Sequence, residues 1–218
     1  SINGTSFIYK DVASGNNYTF TVRCYSDDGQ TPTRYFVRSG ITGKFIAVPQ
    51  ITGFSPIAGG TRVKWTPVNG AEKYRLFIRK ADKTGWTRIA DTTGTYYDHK
   101  GLTDEQTYTY TVRVVGSDGK YASQYNHYGW DNTYLAPATI TSVDWDGAGY
   151  TPRWEKSPAA VGCYLYRKTF SGDWKMLLHT RKRTSYYDTE IEPDTLYAYT
   201  IRYVDRNEQP ASMISDDI

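Results

Sequence analysis

The chain has 218 residues, of which 39% are hydrophobic and 16% aromatic, with 21 tyrosines and a formal net charge of +3. So small and evenly spread a charge excludes an electrostatic nucleic-acid footprint. No apolar run approaches the roughly 20 residues needed to span a bilayer.

Methionine is scarce, at 2 residues, whereas Tyr, Thr and Val suit a pleated, half-buried surface, so the composition is all-β. The chain opens inside a repeat. Tyr18 to Gly29 (YTFTVRCYSDDG), Tyr108 to Gly119 (YTYTVRVVGSDG) and Tyr197 to Glu208 (YAYTIRYVDRNE) align, starting 90 and 89 residues apart. Trp65 aligns with Trp154, Trp86 with Trp174, Tyr96-Tyr97-Asp98 with Tyr186-Tyr187-Asp188, and Ile78-Arg79-Lys80 with Tyr166-Arg167-Lys168. A fixed period of this length marks a tandem array. It divides the chain into the C-terminal half of a repeat (1–46), a complete repeat (47–135) and a second complete repeat (136–218).

In residues 1–46 the pattern predicts strands at Ser6–Lys10, Tyr18–Tyr25 and Arg34–Val37. Phe20, Val22 and Cys24 face a covering sheet that this segment does not contain. Exposing such side chains costs about 1.5–3 kcal/mol each, so a second chain or a further segment is expected to cover them. In the next repeat the pattern predicts strands at Thr61–Trp65, Tyr74–Ile78, Trp86–Ile89, from Thr95, at Tyr108–Val114 and from Ala122. Tyr108, Tyr110, Val112 and Val114 share one face, which fixes register. Ser117-Asp118-Gly119 reads as a hairpin turn in which glycine takes positive φ. About seven short strands per repeat predict two packed antiparallel sheets. The short proline-bearing junctions Ala47-Val48-Pro49 and Leu135-Ala136-Pro137 predict an elongated array.

Ile191-Glu192-Pro193-Asp194-Thr195-Leu196-Tyr197, followed by Tyr199 and Ile201, resembles the fibronectin type III signature. Leu102 to Val112 is similar, with Asp104 where proline is expected, and Val12 to Val22 is looser. The resemblance implies tandem fibronectin type III-like, immunoglobulin-like β-sandwiches. It gives Tyr18, Tyr108 and Tyr197 the role of capping the corner before their strands, and Trp65 and Trp154 that of core tryptophans. The elements TSYYD, YTYTVR and YLAP resemble tandem repeats of surface proteins from gut Firmicutes. Such proteins include passive stalks and binders of host proteins, immunoglobulins among them, which implies an extracellular, secreted or cell-wall-attached module.

The chemistry-bearing residues point away from catalysis. His99, His127 and His179 are scattered rather than clustered as metal ligands are, and His99 and His179 read as exposed loop residues. Asp27-Asp28-Gly29 and Asp118-Gly119 sit at hairpin tips, where turn geometry explains them. No phosphate-binding glycine loop or nucleophile elbow occurs. Cys24 and Cys163 occupy non-equivalent places and read as free thiols. The sequence therefore predicts no enzyme activity, cofactor or metal. Two binding faces stand out. One is the aromatic run 121–134, with Tyr125, Tyr128, Trp130 and Tyr134 as candidates. The other is the outer face Arg75, Phe77 and Arg79, with Cys163, Leu165 and Arg167 as its counterpart in the following repeat. Exposed aromatics favour interfaces. The leading expectation is a module that binds a host extracellular protein, immunoglobulin being one candidate. A passive spacer and a carbohydrate-binding module are the alternatives.

Overall fold

The computed structural model describes residues 4–34 and 40–214. Residues 47–135 hold seven strands: β3 (Ile51–Ile57), β4 (Gly60–Trp65), β5 (Lys73–Lys80), β6 (Thr87–Thr92), β7 (Tyr96–Lys100), β8 (Thr107–Val115) and β9 (Trp130–Thr133). They form one sheet in the order β3-β4-β7 and another in the order β6-β5-β8-β9, all pairs antiparallel. Alternation explains the packing. Tyr74, Leu76 and Ile78 of β5 and Tyr108, Tyr110, Val112 and Val114 of β8 point inward onto Val63 and Trp65 of β4, and Leu76, Val63 and Tyr110 are fully buried. Each such burial stabilises the sandwich by about 1.5–3 kcal/mol. The indole N–H of Trp65 is buried with no hydrogen-bond partner among the described residues.

Residues 136–214 repeat the plan with β10 (Ile140–Trp145), β11 (Tyr150–Trp154), β12 (Gly162–Thr169), β13 (Lys175–Thr180) and β14 (Tyr197–Val204). β10 pairs with β11, which is bridged at Tyr150–Asp188 and Arg153–Ser185, and the facing sheet runs β13-β12-β14. Its core is built on Trp154, Cys163, Leu165, Tyr199, Ile201 and Tyr203. Here the indole of Trp154 meets the Cys163 thiol, whose pKa burial pushes up. Both cysteines are free.

Residues 4–34 and 40–46 contain β1 (Asn17–Phe20) and β2 (Ile41–Lys44), paired antiparallel. The strand expected at Ser6–Lys10 is absent, and the Tyr18–Tyr25 strand stops at Phe20. With no facing sheet among the described residues, nothing rewards longer pairing. Of the strand expected at Arg34–Val37, Arg34 is irregular and the remainder lies outside the described residues. Phe20 is 49% and Val22 79% exposed, and Cys24 is exposed.

The repeats share a device that sequence reading passed over. A hydroxyl after the hairpin accepts a strand N–H in each: Cys24 N–H to Thr33 Oγ1 (3.0 Å), Val114 N–H to Ser123 Oγ (2.9 Å) and Tyr203 N–H to Ser212 Oγ (3.0 Å). The returning strand pairs briefly at Tyr25–Pro32, Val115–Tyr121 or Val204–Pro210. It then leaves the sheet, and in the first two repeats it re-pairs as β2 and β9. The last strand of the middle repeat therefore starts at Trp130, not at Ala122.

The hairpin itself needs a left-handed residue. Gly29 (φ 71°) and Gly119 (φ 76°) supply it, and Glu208 (φ 60°) occupies the same place in the third repeat. A non-glycine there costs roughly 1 kcal/mol. A side chain at Gly119 would meet nothing within 4 Å, so only the backbone term applies. Gly119→Ala is expected to destabilise its repeat by about 1 kcal/mol, and Glu208→Gly to stabilise the third by up to about 1 kcal/mol. Paired urea melts of the two variants check this.

Candidate functional site

The corner tyrosines come first, because they position everything that follows. The Tyr18 hydroxyl accepts from Ala13 N–H at 2.7 Å, Tyr108 from Thr103 N–H at 2.9 Å and Tyr197 from Glu192 N–H at 2.8 Å. Each bond spans five residues and pins the corner turn to the first residues of the strand that follows it: β1, β8 or β14.

From that strand the outer face of the four-stranded sheet is built. Arg75, Phe77 and Arg79 alternate with the inward residues of β5, and Arg113 lies beside them on β8. Trp86 precedes β6. Tyr121 and Tyr125 come from the returning chain, which folds back over this face. The result is a layer of guanidinium and aromatic groups. Arg113 lies 3.8 Å from the Tyr121 ring centre and 5.2 Å from that of Tyr125. Arg75 lies 5.6 Å from Tyr121, and Arg79 lies 4.6 Å from Trp86. Phe77 packs against Tyr121 at 6.3 Å. Arg75 also makes a two-pronged ion pair with Asp91, at 2.8 and 2.9 Å, and holds that carboxyl below its ordinary range. Cation–π contacts of this kind are worth about 0.5–1 kcal/mol when exposed and more when desolvated.

The 124–129 loop is tied down onto this layer. Thr111 Oγ1 donates to Asn126 O at 3.0 Å, the Tyr128 and Gly129 N–H groups donate to Asn126 Oδ1, and Arg79 donates to Tyr128 O at 3.2 Å. Gly129 (φ 73°) is required, because a Cβ there would lie 2.7 Å from Trp86 and 2.8 Å from Tyr110 O. At the loop tip the Tyr128 side chain is 88% exposed.

The seven candidate residues do not form one surface. Arg75, Phe77, Arg79, Tyr125 and Tyr128 come together on the outer face. Arg75, Phe77, Arg79 and Tyr125 are half-buried within the layer, so it is Tyr128 that projects. Trp130 pairs opposite the inward Tyr110, so it points to the other side of the sheet. There, 42% exposed, it lines an open cleft of about 830 Å³ between the β3 and β9 edges and the 205–211 loop. Tyr134 is half-buried against the middle core, and burial raises its pKa. The exposed Tyr121, which organises the layer, was visible in the sequence only as part of the aromatic run.

Cys163, Leu165 and Arg167 are not an outer face. They are 6%, 0% and 8% exposed and point into the core. Strand pairing sets Leu165 opposite Ile201 and Leu76 opposite Val112, and sets Arg167 opposite Tyr199 but Ile78 opposite Tyr110. The true equivalents are therefore Arg167 and Ile78. Matching the Arg-Lys letters slipped the alignment by one residue, and a one-residue slip exchanges the faces.

His99 is likewise not a loop residue. It lies on β7, half-buried, with Nδ1 3.0 Å from the Tyr110 hydroxyl, and burial lowers its pKa from the ordinary 6.5. Its counterpart is Asp188, which the Tyr-Tyr-Asp match sets against Asp98, one residue away. Asp188, 1% exposed, accepts from the Tyr199 hydroxyl at 2.7 Å and from Arg167 Nη1 at 2.6 and 2.7 Å. Burial first, and then the Asp188 carboxylate, pushes the Tyr199 pKa up. The two repeats thus satisfy one buried tyrosine hydroxyl in different ways. His179 lies on β13, exposed, with its ring 4.8 Å from Tyr164. Among the described residues, no three His, Cys, Asp or Glu side chains are grouped to hold a metal ion.

No family model matches the chain. Among solved structures it is similar to the FN1–FN3 domains of chicken CNTN1, at 14% identity and a TM-score of 0.40, over 94% of this chain and 75% of that one. The middle repeat sets three strands against four, with its corner tyrosine on an inner strand of the larger sheet, and the class is an all-β tandem of fibronectin type III-like sandwiches.

Two outcomes follow from the buried polar groups. Arg167→Ile leaves the Asp188 carboxylate without its cation and is expected to cost roughly 3–5 kcal/mol. Adding Asp188→His recreates the middle-repeat set and is expected to recover most of that loss in denaturant melts. For His99, the folded pKa lies below the unfolded one, so the unfolded chain binds more protons in that window. The middle repeat is therefore expected to lose stability as pH falls below about 6.5. Melting profiles of His99→Gln against pH, flatter than those of the native chain, check this.

Proposed function

We propose that the chain is a non-enzymatic, extracellular repeat module of a bacterial surface or secreted protein, with repeats at 1–46, 47–135 and 136–218. In this reading the middle repeat binds a host protein, immunoglobulin being one candidate, through the outer face carrying Tyr128. One observation carries it. A large aromatic side chain, 88% exposed, stands on a loop held by two hydrogen bonds from the sheet and by two more within the loop. Exposed tyrosines on pre-ordered loops suit protein interfaces, since little freedom remains to be lost on binding. The spacer reading draws support from the repeated, short junctions. The carbohydrate reading is disfavoured by ring geometry: Trp86 and Tyr125 meet edge-on at 85°, which offers no flat sugar platform. Under the same reading, the exposed Phe20 and Val22 of residues 1–46 are covered by a further segment or a second chain.

Surface plasmon resonance against purified immunoglobulin, with capture from whole serum alongside, tests the proposal. The Tyr128 side chain makes no ring contact among the described residues, so Tyr128→Ala is expected to preserve the structure. Roughly tenfold or greater weakening is expected if Tyr128 is a central contact. Equal capture by both proteins would move the contact elsewhere, and no capture by the native chain would leave the spacer reading.

A further inference from the structure

We propose that the corner turns of the first and middle repeats also lock the orientation of the repeat that follows each of them. The two junctions show the same geometry built from different residues. At the first, Gly15 N–H donates to Phe45 O (2.8 Å) and Phe45 N–H to Asn16 O (3.0 Å). At the second, Glu105 N–H donates to Tyr134 O (2.8 Å) and Tyr134 N–H to Gln106 O (3.1 Å). The next linker residue is apolar and buried in the downstream core: Ile46, 6% exposed, joins the middle core, and Leu135, 4% exposed, joins the third. The residue after that is capped by the upstream corner. Ala47 N–H donates to Ser14 Oγ at 3.0 Å, and Ala136 N–H to Asp104 Oδ1 at 2.7 Å.

A third tie reaches the downstream repeat itself, at the loop between its second and third strands. Ser14 Oγ donates to Asn69 O (2.8 Å) and Asn69 Nδ2 to Ser14 O (3.0 Å). At the other junction Ser157 Oγ donates to Glu105 Oε1 (2.5 Å). Linked domains are expected to move relative to one another unless their interface resists it. Here the corner, the linker and the downstream loop are joined at three points, and the linker's apolar side chain cannot leave without opening a core. Two junctions with different side chains reach one arrangement, which marks the arrangement itself as the constrained feature.

The lock is read from one position, four residues before the corner tyrosine. Ser14 and Asp104 supply an acceptor there, and Pro193 holds that place in the third repeat, with no side-chain acceptor to offer. The cap is thus a property of particular corners and not of the fold.

Residual dipolar couplings on the whole chain test this independently of any ligand. In the native protein one alignment tensor is expected to fit the middle and third repeats together. In Asp104→Ala combined with Ser157→Ala, the two repeats are expected to require separate tensors, while couplings within each repeat and their melting temperatures stay unchanged. Asp104→Asn, which keeps an acceptor oxygen, is expected to retain the common tensor. Separate tensors in the native chain, or a common tensor in the double variant, would overturn the proposal.

Discussion

A single hydrogen bond, from a turn N–H to the hydroxyl of a corner tyrosine, underlies the rest of this structure. It recurs at Tyr18, Tyr108 and Tyr197 at nearly the same length. Tyr108 lies on β8, an inner strand of the four-stranded sheet, so anchoring its ring sets which residues of that strand face inward. Once Tyr108 is placed, Tyr110, Val112 and Val114 must enter the core, and Arg113 must emerge on the outer face. The same bond holds the turn in which Ser14 and Asp104 sit, from which they reach the next linker.

Around this fixed element the repeats diverge in how they treat buried polarity. The hydroxyl of Tyr110 faces an imidazole beside an aliphatic Ile78, whereas that of Tyr199 faces a carboxylate neutralised by a buried guanidinium. A lone buried carboxylate is very costly, so Asp188 and Arg167 belong together, as do His99 and Ile78. The core tryptophans diverge in the same way. Trp154 meets a cysteine where Trp65 meets the ring of Tyr74, 5.7 Å away, and the Trp65 N–H finds no partner among the described residues.

The outer layer of the middle repeat shows why exposed aromatic residues are a weak guide until they are placed. Tyr121 and Tyr125 spend their faces on Arg113, and Trp86 on Arg79, so most of the aromatic run stabilises the returning chain. Tyr128 has no such contact among the described residues. A loop clamped by Asn126 and closed by Gly129 holds it in the open, and that contrast within one run of sequence distinguishes a presented side chain from a structural one.

The 90-residue period, the alternation in β4, β5 and β8 and the glycine-tipped hairpins were legible in the sequence, because each rests on local periodicity or on a turn that only certain residues allow, while the corner tyrosines were implied by the resemblance to the fibronectin type III signature. Local pattern could not place Arg167, because whether an arginine faces in or out depends on a strand pairing that one residue of slippage reverses. It could not separate Tyr128 from Trp130, two residues along, since which side of the sheet each takes follows from Trp130 pairing opposite Tyr110. Nor could it show that Ile46 and Leu135 belong to the cores downstream of them. Those assignments arise from contacts between residues far apart in the chain, and only the folded sandwich brings them together.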